Sequence, residues 1–194
     1  PQLDPQYLEA EWQQARARLP VPVVWLLGKT QSGKTSIIRQ LTGSSEAEIG
    51  DGFRPCTRYS RCYDFPNAEQ PLVRFLDTRG LGEVGYEPSA DLQLFQQQAH
   101  VLLVVMRALD PAQAQIVELV RQIHQHKPHW PLLVVQTCLH QGYAPGADHP
   151  AQPDDRPQDV QRALLAQQQL FIGLPAEFVA IDFTVPEDGY NPLD

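Results

Sequence analysis

Residues 28–35 read GKTQSGKT, and this stretch decides the fold. It fills every fixed position of G-x-x-x-x-G-K-S/T, with Gly28, Gly33, Lys34 and Thr35 in register. A valine-containing apolar run, residues 21–27, leads into it, too short for an ordinary helix. Ile37, Ile38 and Leu41 follow as an apolar helix face that ends near Gly43. Buried strand, glycine-rich turn and helix are therefore expected in that order, with the turn cradling phosphate. Gly28 and Gly33 allow backbone shapes and close approach that a Cβ obstructs. Successive backbone N–H groups then face phosphate oxygens at the helix N-terminus. Lys34 places a positive charge between β- and γ-phosphates, and the Thr35 hydroxyl is a Mg²⁺ ligand. The nucleotide contacts assigned here are Gly28, Gln31, Ser32, Gly33, Lys34, Thr35 and Ser36. A chance glycine-rich turn is the bland reading; the correct flanks on both sides argue against it.

Outward from the cradle, strands alternate with helices. Strands are expected at 58–65, 72–76, 100–106, 131–136 and 177–182, the second antiparallel to its predecessor. Helices are expected at 89–98, from a cap at Asp110 with Pro111 in its first turn, and at 159–171. Residues 44–56 and 77–88 read as loops, and 142–157, rich in Pro, Gly and Asp, as a mobile surface loop. At the start of the chain, Leu8, Trp12, Ala15 and Leu19 trace one apolar helix stripe. Alternation of this kind predicts an α/β, three-layer fold: a mostly parallel sheet with helices on both faces. The organisation expected is an N-terminal amphipathic helix over 1–20 and one nucleotide-binding domain over 21–194. No helix-length segment follows Thr184.

Composition narrows the function. The 194 residues carry a net charge of −8. That argues against broad binding to nucleic acid or an anionic membrane, but leaves room for a local anion site. Of three lysines, Lys29, Lys34 and Lys127, two lie inside the cradle. Cys56, Cys62 and Cys138 have no metal-ligand pairing and read as reduced, structural thiols. No run is long and apolar enough for a membrane span, and no signal-peptide layout is visible. The chain opens on Pro1 rather than Met, which reads as a piece of a longer chain. A cytoplasmic protein is expected, with membrane association open through segments outside this one.

Asp77-Thr-Arg-Gly80 (DTRG) directly ends an expected strand. An acidic residue there can hold Mg²⁺, and the Gly80 N–H can meet the γ-phosphate. Alone, D-x-x-G is weak, because an Asp capping a turn looks the same. Following the cradle and an apolar strand, it is informative.

With both elements in this order, the chain resembles the translation-factor-related class of P-loop GTPases, and is similar to its Era-like, dynamin-like and septin-like branches. The resemblance covers roughly residues 21–184. It implies a switch threonine between the cradle helix and D-x-x-G that closes on Mg²⁺ and the γ-phosphate. Thr57, in Arg54-Pro-Cys-Thr57-Arg58, matches that place. On this resemblance Lys34, Thr57 and Gly80 are the catalytic candidates, and Thr35, Thr57 and Asp77 the metal candidates.

Two departures qualify the resemblance. Where Ras-like members carry a Gln that orients water, this chain has Leu81, which cannot hydrogen-bond. Another group must position the water, or intrinsic hydrolysis is slow; Arg58 and Arg79 are candidates for transition-state charge, although arginines are usually solvated. The guanine-reading N-K-x-D element is replaced by Thr137-Cys-Leu-His140. A neutral His offers one donor and one acceptor, not a bidentate carboxylate. Thr137, His140 and Asp182, the last marking the loop after the final strand, are the base-site candidates.

The leading expectation is a GTP-binding, GTP-hydrolysing switch using Mg²⁺ and GTP/GDP, with low intrinsic activity. The resemblance also implies a nucleotide-dependent homodimer and an effector protein of unknown identity. Two alternatives stand beside it: an ATP-using P-loop enzyme, and a non-hydrolysing, nucleotide-dependent interaction module.

Overall fold

The computed structural model describes residues 20–45, 54–55, 60–78, 99–150 and 152–183. The expected N-terminal helix, the helix at 89–98, Thr57, Arg58, Arg79, Gly80, Leu81 and the residues after 183 lie outside them.

In chain order the strands are β1 (Val23–Leu27), β2 (Arg54–Pro55), β3 (Ser60–Phe65), β4 (Val73–Thr78), β5 (Val101–Arg107), β6 (Leu132–Thr137) and β7 (Ala176–Ala180). The helices are α1 (Lys34–Thr42), α2 (Ala114–His126) and α3 (Gln158–Leu170). One seven-stranded sheet runs β2-β3-β4-β1-β5-β6-β7. The β4-β1-β5-β6-β7 block is parallel, while β2-β3 and β3-β4 are antiparallel, as expected for the second of these pairs.

The central strands are apolar on both faces because both faces are covered. Trp25 and Leu27 point into the layer that holds Ile116, Val120 and Ile123 of α2. Leu26, between them, points to the opposite layer with Ile37 and Ile38 of α1. This is the period-2 alternation of a strand acting on two helix layers at once. Each fully buried side chain of this kind contributes about 1.5–3 kcal/mol relative to exposure. A third cluster joins Val160 and Leu164 of α3 to Leu139 and Ala108.

Several boundaries differ from the sequence expectation. Helix α2 starts at Ala114 with Gln113 as cap residue, not at Asp110. Asp110 instead accepts from the Ala112 N–H at 2.9 Å, closing its own turn. The stretch 142–157, expected as a mobile surface loop, begins at the end of a short 3-10 turn, Leu139–Gly142, and contains another, Pro153–Asp155. The thiol expectation is corrected at Cys62, which is disulfide-bonded, while Cys138 is free. At the antiparallel edge, Asp64 and Arg74 face each other in register and form a bidentate pair at 2.6 and 3.2 Å. The Asp64 hydrogen bond raises the Arg74 pKa further above its ordinary value, against the opposing effect of burial.

Candidate functional site

The parallel strands share one carboxyl edge, and the site lies along it. Strand β1 sits between β4 and β5: the chain leaves β1 toward the β2-β3-β4 side, and after β4 it crosses to β5 on the other side. Such a switch point opens a crevice at the strand ends where ligands bind in open α/β sheets. Residues 28–33 fill the crevice between β1 and α1. Leu26 pairs with Asp77, which brings that carboxylate beside the start of the loop.

The cradle's shape follows from its glycines. A Cβ on Gly28 would lie 2.4 Å from the Val105 carbonyl oxygen and 2.7 Å from Ser32 Oγ. Only glycine lets β1 pass β5 this closely. Gly33 caps α1 in the left-handed region, at φ 96°. Gln31 also has positive φ, 61°, a conformation uncommon for a side chain with a Cβ. Together these turns point the loop's backbone inward. The Ser32 hydroxyl is buried and has no hydrogen-bond partner among the described residues. A closely packed loop with an orphaned polar atom fits a cradle for an anionic group.

Lys34 folds back over the loop. Its Nζ donates to the carbonyl oxygens of Gly28 and Lys29, both at 2.9 Å. It stands 3.7 Å from Asp77 Oδ1, an ion pair rather than a short hydrogen bond. Burial lowers the Lys34 pKa below 10.5, and the Asp77 charge offsets only part of that effect. Thr35 and Ser36 occupy the first turn of α1, as expected.

Asp110, expected only as a helix cap, braces the loop from outside. Lys29 Nζ donates to Asp110 Oδ2 at 2.7 Å, tying the cradle to the turn after β5. Burial works to raise the Asp110 pKa, but hydrogen bonds from Lys29 and the Ala112 N–H, with the charges of Lys29 and Arg107, outweigh it and leave the pKa lowered. Nothing in the sequence links residues 81 positions apart. The sheet order does, because β5 is the neighbour of β1.

Thr137 ends β6 beside the cradle. Its side chain is buried, and its hydroxyl donates to the Ser32 carbonyl at 2.7 Å. It thus props the cradle from the end of β6. His140, in the 3-10 turn that follows, and Asp182, just after β7, both expected at the base site, are brought together. The His140 backbone N–H donates to Asp182 Oδ2 at 2.5 Å. His149, from the loop expected to be mobile, joins them, with Nε2 3.2 Å from His140 Nδ1. Along this edge Asp77, Lys34, Ser32 and Thr35 lie at the cradle, Thr137 props it from the end of β6, and His140 and Asp182 meet beyond the ends of β6 and β7.

A family model described as 50S ribosome-binding GTPase matches residues 23–137, from β1 to the end of β6. The chain belongs to this GTPase family. Among solved structures it is similar to the ADP ribosylation factor-like GTP-binding protein, small COPII coat GTPase SAR1, of Encephalitozoon cuniculi, in complex with GDP. The TM-score is 0.58 at 13% identity, over 92% of this chain and 82% of that one. That likeness shows the P-loop GTPase fold. A weaker one, TM-score 0.46 at 16% identity, is to a bacterial selenocysteine-specific elongation factor, EF-Sec, covering 84% of this chain and 26% of that one. No curated protein sequence matches the chain. No helix among the described residues is long and apolar enough to cross a membrane.

Proposed function

We propose that this member of the GTPase family binds GTP with Mg²⁺ over residues 28–35, hydrolyses it slowly and works as a molecular switch. The observation that carries the reading is Lys34: a buried ammonium held on two loop carbonyls, 3.7 Å from the carboxylate of Asp77. A cation confined there exchanges carbonyl partners for phosphate oxygens when a nucleotide enters. The N–H groups of Gln31, Ser32, Gly33, Lys34, Thr35 and Ser36 receive the phosphates in this reading, with Gly28 making the space.

Thr35 and Asp77, joined by Thr57, supply hard oxygen donors of the kind Mg²⁺ prefers. Mg²⁺, when bound, neutralises charge on the β- and γ-phosphates. Lys34 stabilises charge on the γ-phosphate, Thr57 closes over it, and the Gly80 N–H contacts it. Leu81 cannot orient water, so slow turnover is expected without a further group. Thr137, His140 and Asp182 belong to the base end, with His140 and Asp182 replacing the usual carboxylate reader.

Era-like kinship rests on the order of these elements, and residues 21–194 are taken as the G domain with the amphipathic helix of 1–20 beside it. A nucleotide-dependent homodimer, an effector protein and a cytoplasmic setting complete the reading. Cys138 and His140, standing where a Lys and a carboxylate usually read guanine, favour one rival, an ATP-using enzyme. The test combines fluorescent-nucleotide titration with phosphate release. GTP and GDP are expected to bind with Mg²⁺, turnover to be slow, and Lys34→Ala to weaken binding by about a hundredfold, as loss of charge-assisted contacts implies. Absence of GTP binding at millimolar concentration, or unchanged binding in the variant, overturns the reading.

A further inference from the structure

The ends of β6 and β7 carry a cluster whose chemistry goes beyond reading a base. One ligand atom each from His140, His149 and Asp182 lies within 4.8 Å of the other two. The rings of His140 and His149 meet edge to face, with centroids 4.7 Å apart. Tyr143 packs against both at 5.3 Å.

We propose that His140, His149 and Asp182 form a binding site for a transition-metal dication of the Zn²⁺ class, with a fourth position left for water or an added ligand. Three observations carry this. The donor set is two imidazole nitrogens and a carboxylate oxygen, a borderline set that suits Zn²⁺ and its neighbours rather than Mg²⁺ or Ca²⁺. The 3.2 Å between His140 Nδ1 and His149 Nε2 matches the roughly 3.3 Å that separates two nitrogens on one tetrahedral ion. The ligands are also held before any ion arrives. Leu139 is fully buried and anchors the turn that carries His140. Gly142 lies so close to α3 that a Cβ would come within 2.3 Å of the Val160 side chain. The His140 N–H orients Asp182, as outer hydrogen bonds orient ligating carboxylates.

The plain alternative is a neutral histidine pair sharing one proton, since 3.2 Å also suits an N–H···N hydrogen bond. That explains the pair alone, whereas a metal ion also uses the buried Asp182 carboxylate, whose oxygen lies within 4.8 Å of a nitrogen on each ring. The inference does not rest on the nucleotide reading, although His140 and Asp182 serve in both. His149 has no part in that reading and separates the two.

The test is a Co²⁺ titration of the full chain, metal-free and without nucleotide, followed by visible absorption and then by displacement with Zn²⁺. One equivalent of four-coordinate cobalt is expected, displaced by one equivalent of Zn²⁺. His149→Ala and His149→Gln should each weaken binding about tenfold or more, as loss of one ligand in a small site implies. His126→Ala, on α2 with its ring nitrogen at Gln122, should leave it unchanged. Circular dichroism of both His149 variants controls for folding, and agreement between them excludes a packing artefact of one. Absence of four-coordinate cobalt bands at millimolar Co²⁺, or wild-type affinity in both folded His149 variants, overturns the site.

Discussion

Lys34 carries a conflict between binding and stability. Its ammonium is buried with only partial compensation from Asp77, so the folded state holds the proton less tightly than the unfolded chain. Between the lowered folded pKa and 10.5 the unfolded state binds more protons, so this group makes stability rise with pH there. The penalty is fully present below the folded pKa and vanishes above 10.5. Lys34→Met should therefore leave the nucleotide-free protein at least as stable as wild type in urea unfolding at pH 7. Its advantage should shrink as the pH is raised toward the lysine range. A large loss of stability at pH 7 would contradict the account of the cradle as a site held against its own stability. Thr137 makes the opposite case. Its hydroxyl satisfies the Ser32 carbonyl in a buried place. Thr137→Val keeps the shape and removes the donor, and should cost about 1–2 kcal/mol by thermal or urea unfolding. In the same variant nucleotide affinity should fall while the fold persists, since the strut acts on the loop; affinity equal to wild type counts against it.

Elements were legible where periodicity was strong and contiguous. The apolar runs of β5 and β6, HVLLVVM and PLLVVQ, and the three-four spacing of α2 gave strands and helix to within a few residues. The start of α2 was misplaced because Asp110-Pro111 has the chemistry of a cap. Asp110 answers instead to Lys29 and to its own turn. Between α3 and the sheet a chain of buried amides does work that no local pattern reveals. Gln167 Nε2 donates to the carbonyls of Arg107 and Asp110 at 2.8 and 3.2 Å, while its Oε1 accepts from Gln136 at 3.0 Å. Gln167 is one of three successive glutamines, 167–169, and nothing in that run marks it as the buried one. Gln167→Leu should cost about 2 kcal/mol in urea unfolding, because it leaves buried polar groups of β5 and β6 short of partners. A variant as stable as wild type would mean that the amides are replaceable by packing alone.

At the scale of the whole molecule, the parallel edge explains why a site assembled from distant residues was only half readable. The cradle is contiguous, so the phosphate chemistry proposed for it is argued from eight letters. Its struts come from the ends of β5 and β6, and the base-end cluster from three separate segments. These meet only once the strand order is known, as for His140 and Asp182, 42 positions apart. Membership of the GTPase family fits that arrangement, with β1 at the centre of the parallel edge between β4 and β5. The proposed base end, with Cys138 and His140 in place of a Lys and a carboxylate, departs most from the family pattern. The decisive measurement is calorimetric titration of the full chain with GDP, GTP, ADP and ATP in the presence of Mg²⁺. The account predicts binding of GDP and GTP at least about tenfold tighter than ADP and ATP, a gap of about 1.4 kcal/mol. Equal or tighter binding of the adenine nucleotides, or no binding of any of the four, would contradict it.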